Sequence, residues 1–252
     1  MAGAAGAGRG ALHIVMPLFT EEIHVLVRQD SPLEHIHDLQ GRRINLGAAG
    51  SGGEITATRL YERMFGAPPE RASRLDDAQA IRALLDDGSI DAMVVVAAQP
   101  AGWLAGMPPD AARRLRLLPL DPDHPASLRA IETYLPTSVR ASSYRGWLHG
   151  NVPTLASISF LASFVEADAG ADGARRVAAF ARALCASLPA LRRDGHPKWR
   201  EVQPDFRPET GWPYSPSAER ALRDCAGAAG TRLAAGPASL QPDVPSKETI
   251  RP

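Results

Sequence analysis

The sequence predicts an α/β fold on a mostly parallel sheet, and three observations carry that expectation. Short β-rich runs alternate with amphipathic helical stretches. The run Ile90 to Val96 is β-branched enough for a central strand, and glycines crowd the strand-to-helix turn Gly47 to Gly53. Strands and helices alternating at this spacing make βαβ units with right-handed crossovers, so residues 41–135 are expected to form a complete α/β lobe.

Taken in order, the first strand is expected over Ile23 to Arg28, broken by Asp30-Ser31-Pro32 before a short helical turn ending near Gln40-Gly41. Ile44 to Gly47 is the second strand. A helix follows from Glu54 to Phe65 with Ile55, Leu60 and Met64 near one stripe, then another from Asp76 to Asp87 with Ile81, Leu84 and Leu85 inward. The second helix stops on Gly88 and feeds Ile90 to Val96. Leu115 to Leu120 adds a strand, Asp121 to Pro125 a turn, Ala126 to Tyr134 a short helix, and Leu135 to Gly150 reads as irregular. Thr154 to Val165 reads as a strand running into a helix. Arg175 to Leu191 is an amphipathic helix with Val177, Phe180, Leu184, Leu188 and Leu191 on one side. The first 11 residues and the Ala-, Gly- and Pro-rich tail 227–252 are expected to be disordered.

Composition narrows the function. The 252 residues carry 28 basic and 28 acidic side chains, so no nucleic-acid or other polyanion partner is expected. No apolar run approaches the roughly 18 to 20 residues that span a bilayer. No signal peptide is legible, because Arg9 follows the small residues at the start instead of preceding an apolar stretch. Cys185 and Cys225 can pair if the chain is exported, but each falls on the apolar face of a helix, where a buried free thiol is the ordinary reading.

Among features that carry chemistry, the glycine-rich turn ranks first. Free backbone N–H groups and the dipole of the following helix favour an anion there, so Gly50, Ser51, Gly52 and Gly53 are expected to grip a carboxylate. It is neither a phosphate-binding Walker loop nor a dinucleotide fingerprint, and Glu54 places a carboxylate of its own in the first helical turn. Gln99 and Trp103 lie just beyond the carboxyl end of a central strand, where open α/β sheets bind ligands. Phe19 and Glu21 form a candidate pocket wall. His35 and His37 with Asp38 flank Ile36 at a spacing that points them to different sides, so no metal site is expected. No catalytic constellation and no cofactor-binding motif is present.

Several blocks, in order, resemble a known family. Leu18-Phe19-Thr20-Glu21-Glu22-Ile23-His24-Val25 is similar to the opening "LYPExxHV" motif of TAXI-type TRAP transporter solute receptors. Asp38 to Ile44 resembles their "DLxGKRV", Gly47 to Thr56 their "GxxGSGTxxT", and Asp87 to Ala92 their "DGxIDA". Ser143-Tyr144-Arg145-Gly146, Val152-Pro153-Thr154, His196-Pro197 and Pro213 to Pro216 also fit, the match spanning Leu12 to about Arg223.

The resemblance implies a type II periplasmic-binding-protein fold. Two lobes on hinge strands close around a small carboxylated solute, an amino acid such as glutamate or a dicarboxylate, and deliver it to TRAP membrane subunits. It matches Phe19 and Glu21 to the opening motif, Gly50, Ser51 and Gly52 to the anion loop, Gln99 to the post-strand loop and Tyr144 to a late aromatic. The chain departs from the pattern at Phe19 (usually Tyr), Gly53 (usually Thr) and Ser215 (usually His). Such receptors carry a signal sequence and about two further strand–helix units before the opening motif. Residues 12–40 and 136–226 are therefore expected to form an incomplete second lobe with an exposed apolar face, and the location implied is periplasmic. On the same fold, a pyrimidine-precursor-synthase-like enzyme and the effector-sensing part of a regulator are the alternatives. The first lacks its Cys-rich motif here and the second its helix-turn-helix.

Overall fold

The computed structural model describes residues 12–164 and 170–228. The expected disorder of the start, and of the tail beyond residue 228, lies outside these residues. A seven-stranded sheet runs in the order β3-β2-β4-β1-β7-β6, with β5 paired to β1. Its strands are β1 (His13–Arg28), β2 (Ile44–Asn45), β3 (Ala72–Ser73), β4 (Ala92–Ala97), β5 (Leu115–Leu117), β6 (Leu135–Val139) and β7 (Val152–Ser163).

The fold is α/β as the sequence predicts, but the sheet is mixed and not mostly parallel. Only β2 pairs in parallel, with β3 and β4. β1 runs antiparallel to β4, β5 and β7, and β6 antiparallel to β7. β1 also starts ten residues before the expected Ile23. Its first half pairs with the far end of β7, from His13↔Ser163 to Pro17↔Phe160, and after a register shift the pairing continues to Glu22↔Ala156. β6 forms inside the stretch that reads as irregular. It is an edge strand, where Pro136 is tolerated because half its backbone groups face no partner.

The helices follow local rules. α1 (Gly52–Phe65) begins where Ser51 Oγ accepts from the Glu54 amide, and ends at Gly66 in the left-handed region (φ 80°). Ala57, Leu60, Tyr61 and Met64 form its buried stripe, while Ile55 is exposed. α2 (Asp77–Leu85) is capped by Asp76. Short helices α3 (Gly102–Ala105), α4 (Pro109–Ala112) and α5 (Pro125–Ile131) complete this part. α6 (Gly170–Asp194) and α7 (Pro216–Ala228) follow β7.

Three cores result, and β1 feeds all of them. Ile23, Val25 and Val27 pack with α1 and α5 on one face. Leu26 joins α2, Met93, Leu115 and Tyr144 on the other. Val15 and Met16 join Val177, Ala181 and Leu188 of α6 and Leu222 of α7. Phe180, expected on the inner stripe of α6, is half exposed, as is Phe164 at the end of β7.

Cys185 and Cys225 form a disulfide between α6 and α7, correcting the free-thiol reading. Both sit on inward faces that meet, which sequence periodicity alone does not pair. No described helix is long and apolar enough to cross a membrane.

Candidate functional site

The glycine turn is less available to an anion than its sequence implies. Gly50 N–H donates to Glu54 Oε2 at 2.9 Å, and Ser51 N–H to the Ala48 carbonyl at 3.1 Å. Glu54 is itself paired with Arg74, whose guanidinium, with the Gly50 amide, holds the carboxyl below its usual range. Glu54 thus fills the anion position beside Gly50, and Ser51 acts as the helix cap. Of the four residues expected to grip a carboxylate, Gly52 and Gly53, in the first turn of α1, retain amides without a hydrogen bond among the described residues.

Two more candidates are packed inside the protein and three more lie half-buried against it. Gln99 is buried, its carboxamide donating to Ser138 O and accepting from Arg140 N–H and Ser143 Oγ. Tyr144 is also buried, and its hydroxyl lies between Ala101 N–H (2.9 Å) and His24 Nε2 (2.8 Å). Phe19 meets Trp199 edge-on at 5.8 Å between ring centroids. Trp103 packs half-buried against the core of Leu26 and Met93. Glu21 is half-buried beside Ser157 in the β1–β7 ladder. The structure therefore does not gather these residues around one opening. Burial of an aromatic or amide beyond a strand end is the competing use of such positions, and it prevails here.

What it gathers instead is a buried polar cluster that sequence reasoning passed over. Glu22 and Lys198 are 1% and 2% exposed. Lys198 Nζ donates to Glu22 Oε1 (2.6 Å), Thr20 Oγ1 (2.8 Å) and Glu201 Oε2 (2.9 Å). Glu22 Oε2 accepts from Gln99 N–H at 3.0 Å. Burial pushes the Glu201 carboxyl upward, but its pairing with Lys198 and Arg140 outweighs that and leaves it low.

His24 continues the network. Its Nδ1 lies 3.0 Å from Glu22 O and 3.3 Å from Val95 O, and carbonyls only accept, so Nδ1 carries the proton. Nε2 then accepts from the Tyr144 hydroxyl. Burial lowers the imidazole below its ordinary value and raises the Tyr144 phenol to about 12. Every polar atom here has a protein partner, so the cluster docks the segment after α6 onto the sheet. A sequence signal exists: Glu22 and His24 alternate with buried Leu26 on one strand face, where polar residues need partners.

An open cleft lies elsewhere. A cleft of about 1000 Å³ is bounded by α1, the start of β6, the adjoining part of β7 and the segment 208–210. It is lined by Arg59, Arg63, Glu62 and Glu209, with Thr56 and Tyr134 among the hydroxyls. Thr56 stands one turn beyond Gly52 on α1, and the Tyr134 hydroxyl donates to the Thr56 carbonyl at 3.2 Å.

The histidine segment also departs from expectation. Ile36–Leu39 is a 3-10 turn, and His35 before it is extended (φ −135°, ψ 166°), which swings its ring back toward His37. The two rings stack at 5.2 Å and an interplanar angle of 7°, on the same side.

Among solved structures, the chain is similar to ArtJ, the arginine-, lysine-, histidine-binding protein from the thermophilic bacterium Geobacillus stearothermophilus. Identity is 16% and the TM-score 0.41, over 74% of this chain and 64% of that one. It is similar to XAC2383 from Xanthomonas citri bound to ATP, at 16% identity and TM-score 0.41, over 86% of this chain and 70% of that one. The periplasmic sulfonate-binding protein SsuA from Methylobacillus flagellatus KT matches at 13% identity and TM-score 0.41, over 84% and 51%. The chain thus spans less than two thirds of the length of ArtJ and about half that of SsuA. A sequence-family model covers residues 3–180, from the start through β7 and into α6, and the chain belongs to the NMT1-like family.

Proposed function

We propose that this chain is a solute-binding protein that holds an amino acid in the cleft between α1 and β7 and presents it to the membrane subunits of a TRAP-type transporter. The observation that carries the reading is the charge pattern of the cleft. Two guanidinium groups, Arg59 and Arg63, face it together with two carboxylates, Glu62 and Glu209. That pairing matches a zwitterion: the arginines take carboxylate groups and the glutamates the ammonium, whereas a solute with no ammonium leaves Glu62 and Glu209 facing its negative charge. A volume of about 1000 Å³ accommodates such a ligand with water.

The strands support closure. β1 and β7 both run from the sheet cores to the α6–α7 core, so relative movement of those bodies opens or narrows the cleft. The transporter class rests on the motif resemblance, and a periplasmic location is supported by the Cys185–Cys225 disulfide, since such bonds persist in oxidising compartments. The chain binds and releases its solute without transforming it. A thermal-shift panel of amino acids and organic acids tests this: glutamate is expected to raise the Tm, and Arg59→Glu to abolish the shift. No shift with any member, or one that Arg59→Glu retains, refutes the site.

A further inference from the structure

We propose that His35, His37 and Asp38 form a binding site for a divalent transition-metal ion of the zinc class, on the face of the sheet lobe that carries Leu39 and α5. One donor atom from each of the three lies within 4.8 Å of the others. A tetrahedral site with bonds of about 2.1 Å has edges of roughly 3.4 Å, so small side-chain rotations complete the geometry. Two imidazoles and one carboxylate are the donor set that zinc, nickel and copper favour over calcium or magnesium.

The surroundings are those of a prepared site. Asp38 Oδ2 accepts from the amides of Glu34 (2.8 Å) and His35 (2.9 Å), which fixes the carboxylate. Its Oδ1 points toward His37, 3.7 Å from Nε2, beyond hydrogen-bond reach. His37 Nδ1 is buried with no hydrogen-bond partner among the described residues. The nitrogen that faces the Asp38 carboxylate is Nε2, so an ion lying between the two is bound through Nε2. From the opposite side His124, held by the Ala126 amide donating to its Nδ1, stacks on His37 at 3.7 Å and 11°. That stacking restricts the plane of the His37 ring. The three residues are each partly exposed, which leaves an entry path for an ion.

Titrating ZnCl2 into chelator-treated full-length chain by calorimetry tests the proposal. One ion is expected to bind per chain with micromolar affinity. His37→Gln and Asp38→Asn are each expected to weaken it at least tenfold, and His149→Gln, at an exposed histidine elsewhere, to leave it unchanged. If a variant fails to fold, the unaltered chain still decides: Zn2+ shifts the ring proton resonances of His35 and His37 in the supported case. Absence of saturable binding, binding that survives both substitutions, or zinc-dependent shifts confined to other histidines overturns the site.

Discussion

The Lys198 ammonium lies 2.6 Å from Glu22 Oε1, across 176 residues of chain, with neither side chain more than 2% exposed. Removing one member leaves a buried charge without its partner. Lys198→Met is therefore expected to cost about 3–5 kcal/mol of stability, whereas the double change Glu22→Leu with Lys198→Met recovers most of it. Urea unfolding of the three proteins checks this. A double variant as unstable as the single one refutes the account.

The Cys185–Cys225 bond joins residues 40 apart. Closing a loop of that length removes about 4 kcal/mol of unfolded-chain entropy. Dithiothreitol, or the double change to serine, is expected to lower the Tm by a comparable stability and to favour loss of the α6–α7 core. Equal melting with and without reductant contradicts it.

Ser51 accepts from the Glu54 amide at 3.0 Å as the cap of α1. Ser51→Ala is expected to destabilise by about 1 kcal/mol, and Ser51→Asp to be close to neutral, because aspartate caps as well. Denaturant midpoints separate the two. If both variants fall equally, the cap is not the reason for Ser51.

His24 gives the fold a pH dependence. Burial depresses its imidazole pKa, the Glu22 carboxylate and the Val95 and Glu22 carbonyls acting against burial and the Lys198 ammonium with it, while the Tyr144 hydroxyl donates to Nε2. The native state therefore holds His24 neutral, and the unfolded chain binds the extra proton below about pH 6.5. Stability from this group is complete above that value and declines as pH falls through it toward the depressed native pKa. Unfolding midpoints between pH 7.5 and 5.5 should slope less in His24→Gln than in the parent. Parallel slopes disprove the assignment.

Much of the scaffold is written locally. Ser51, Gly66 and Asp76 mark helix ends by cap chemistry, and Ile90 to Val96 announces its strand by β-branching. Sheet polarity was not legible: β1 becomes antiparallel to β4 through a pairing set by the whole topology, which no short window encodes. The same holds for the polar cluster, since Glu22 finds Lys198 only after the chain has folded back from α6. The glycine loop misleads because its composition advertises free amides, while Glu54 supplies the anion from within the chain. His35 and His37 were placed apart on helical spacing, but the extended residue ahead of a tight turn obeys a different geometry.

Between Pro17 and Thr20, β1 advances three residues while its partner β7 steps only from Phe160 to Ile158. The extra residue lifts backbone groups out of the ladder, bending the ribbon and increasing its twist at that joint. Thr20 and Glu22, immediately beyond the joint, are the residues that Lys198 clasps. Any displacement of the segment after α6 from the sheet therefore has to break the hold of one buried ammonium on both residues.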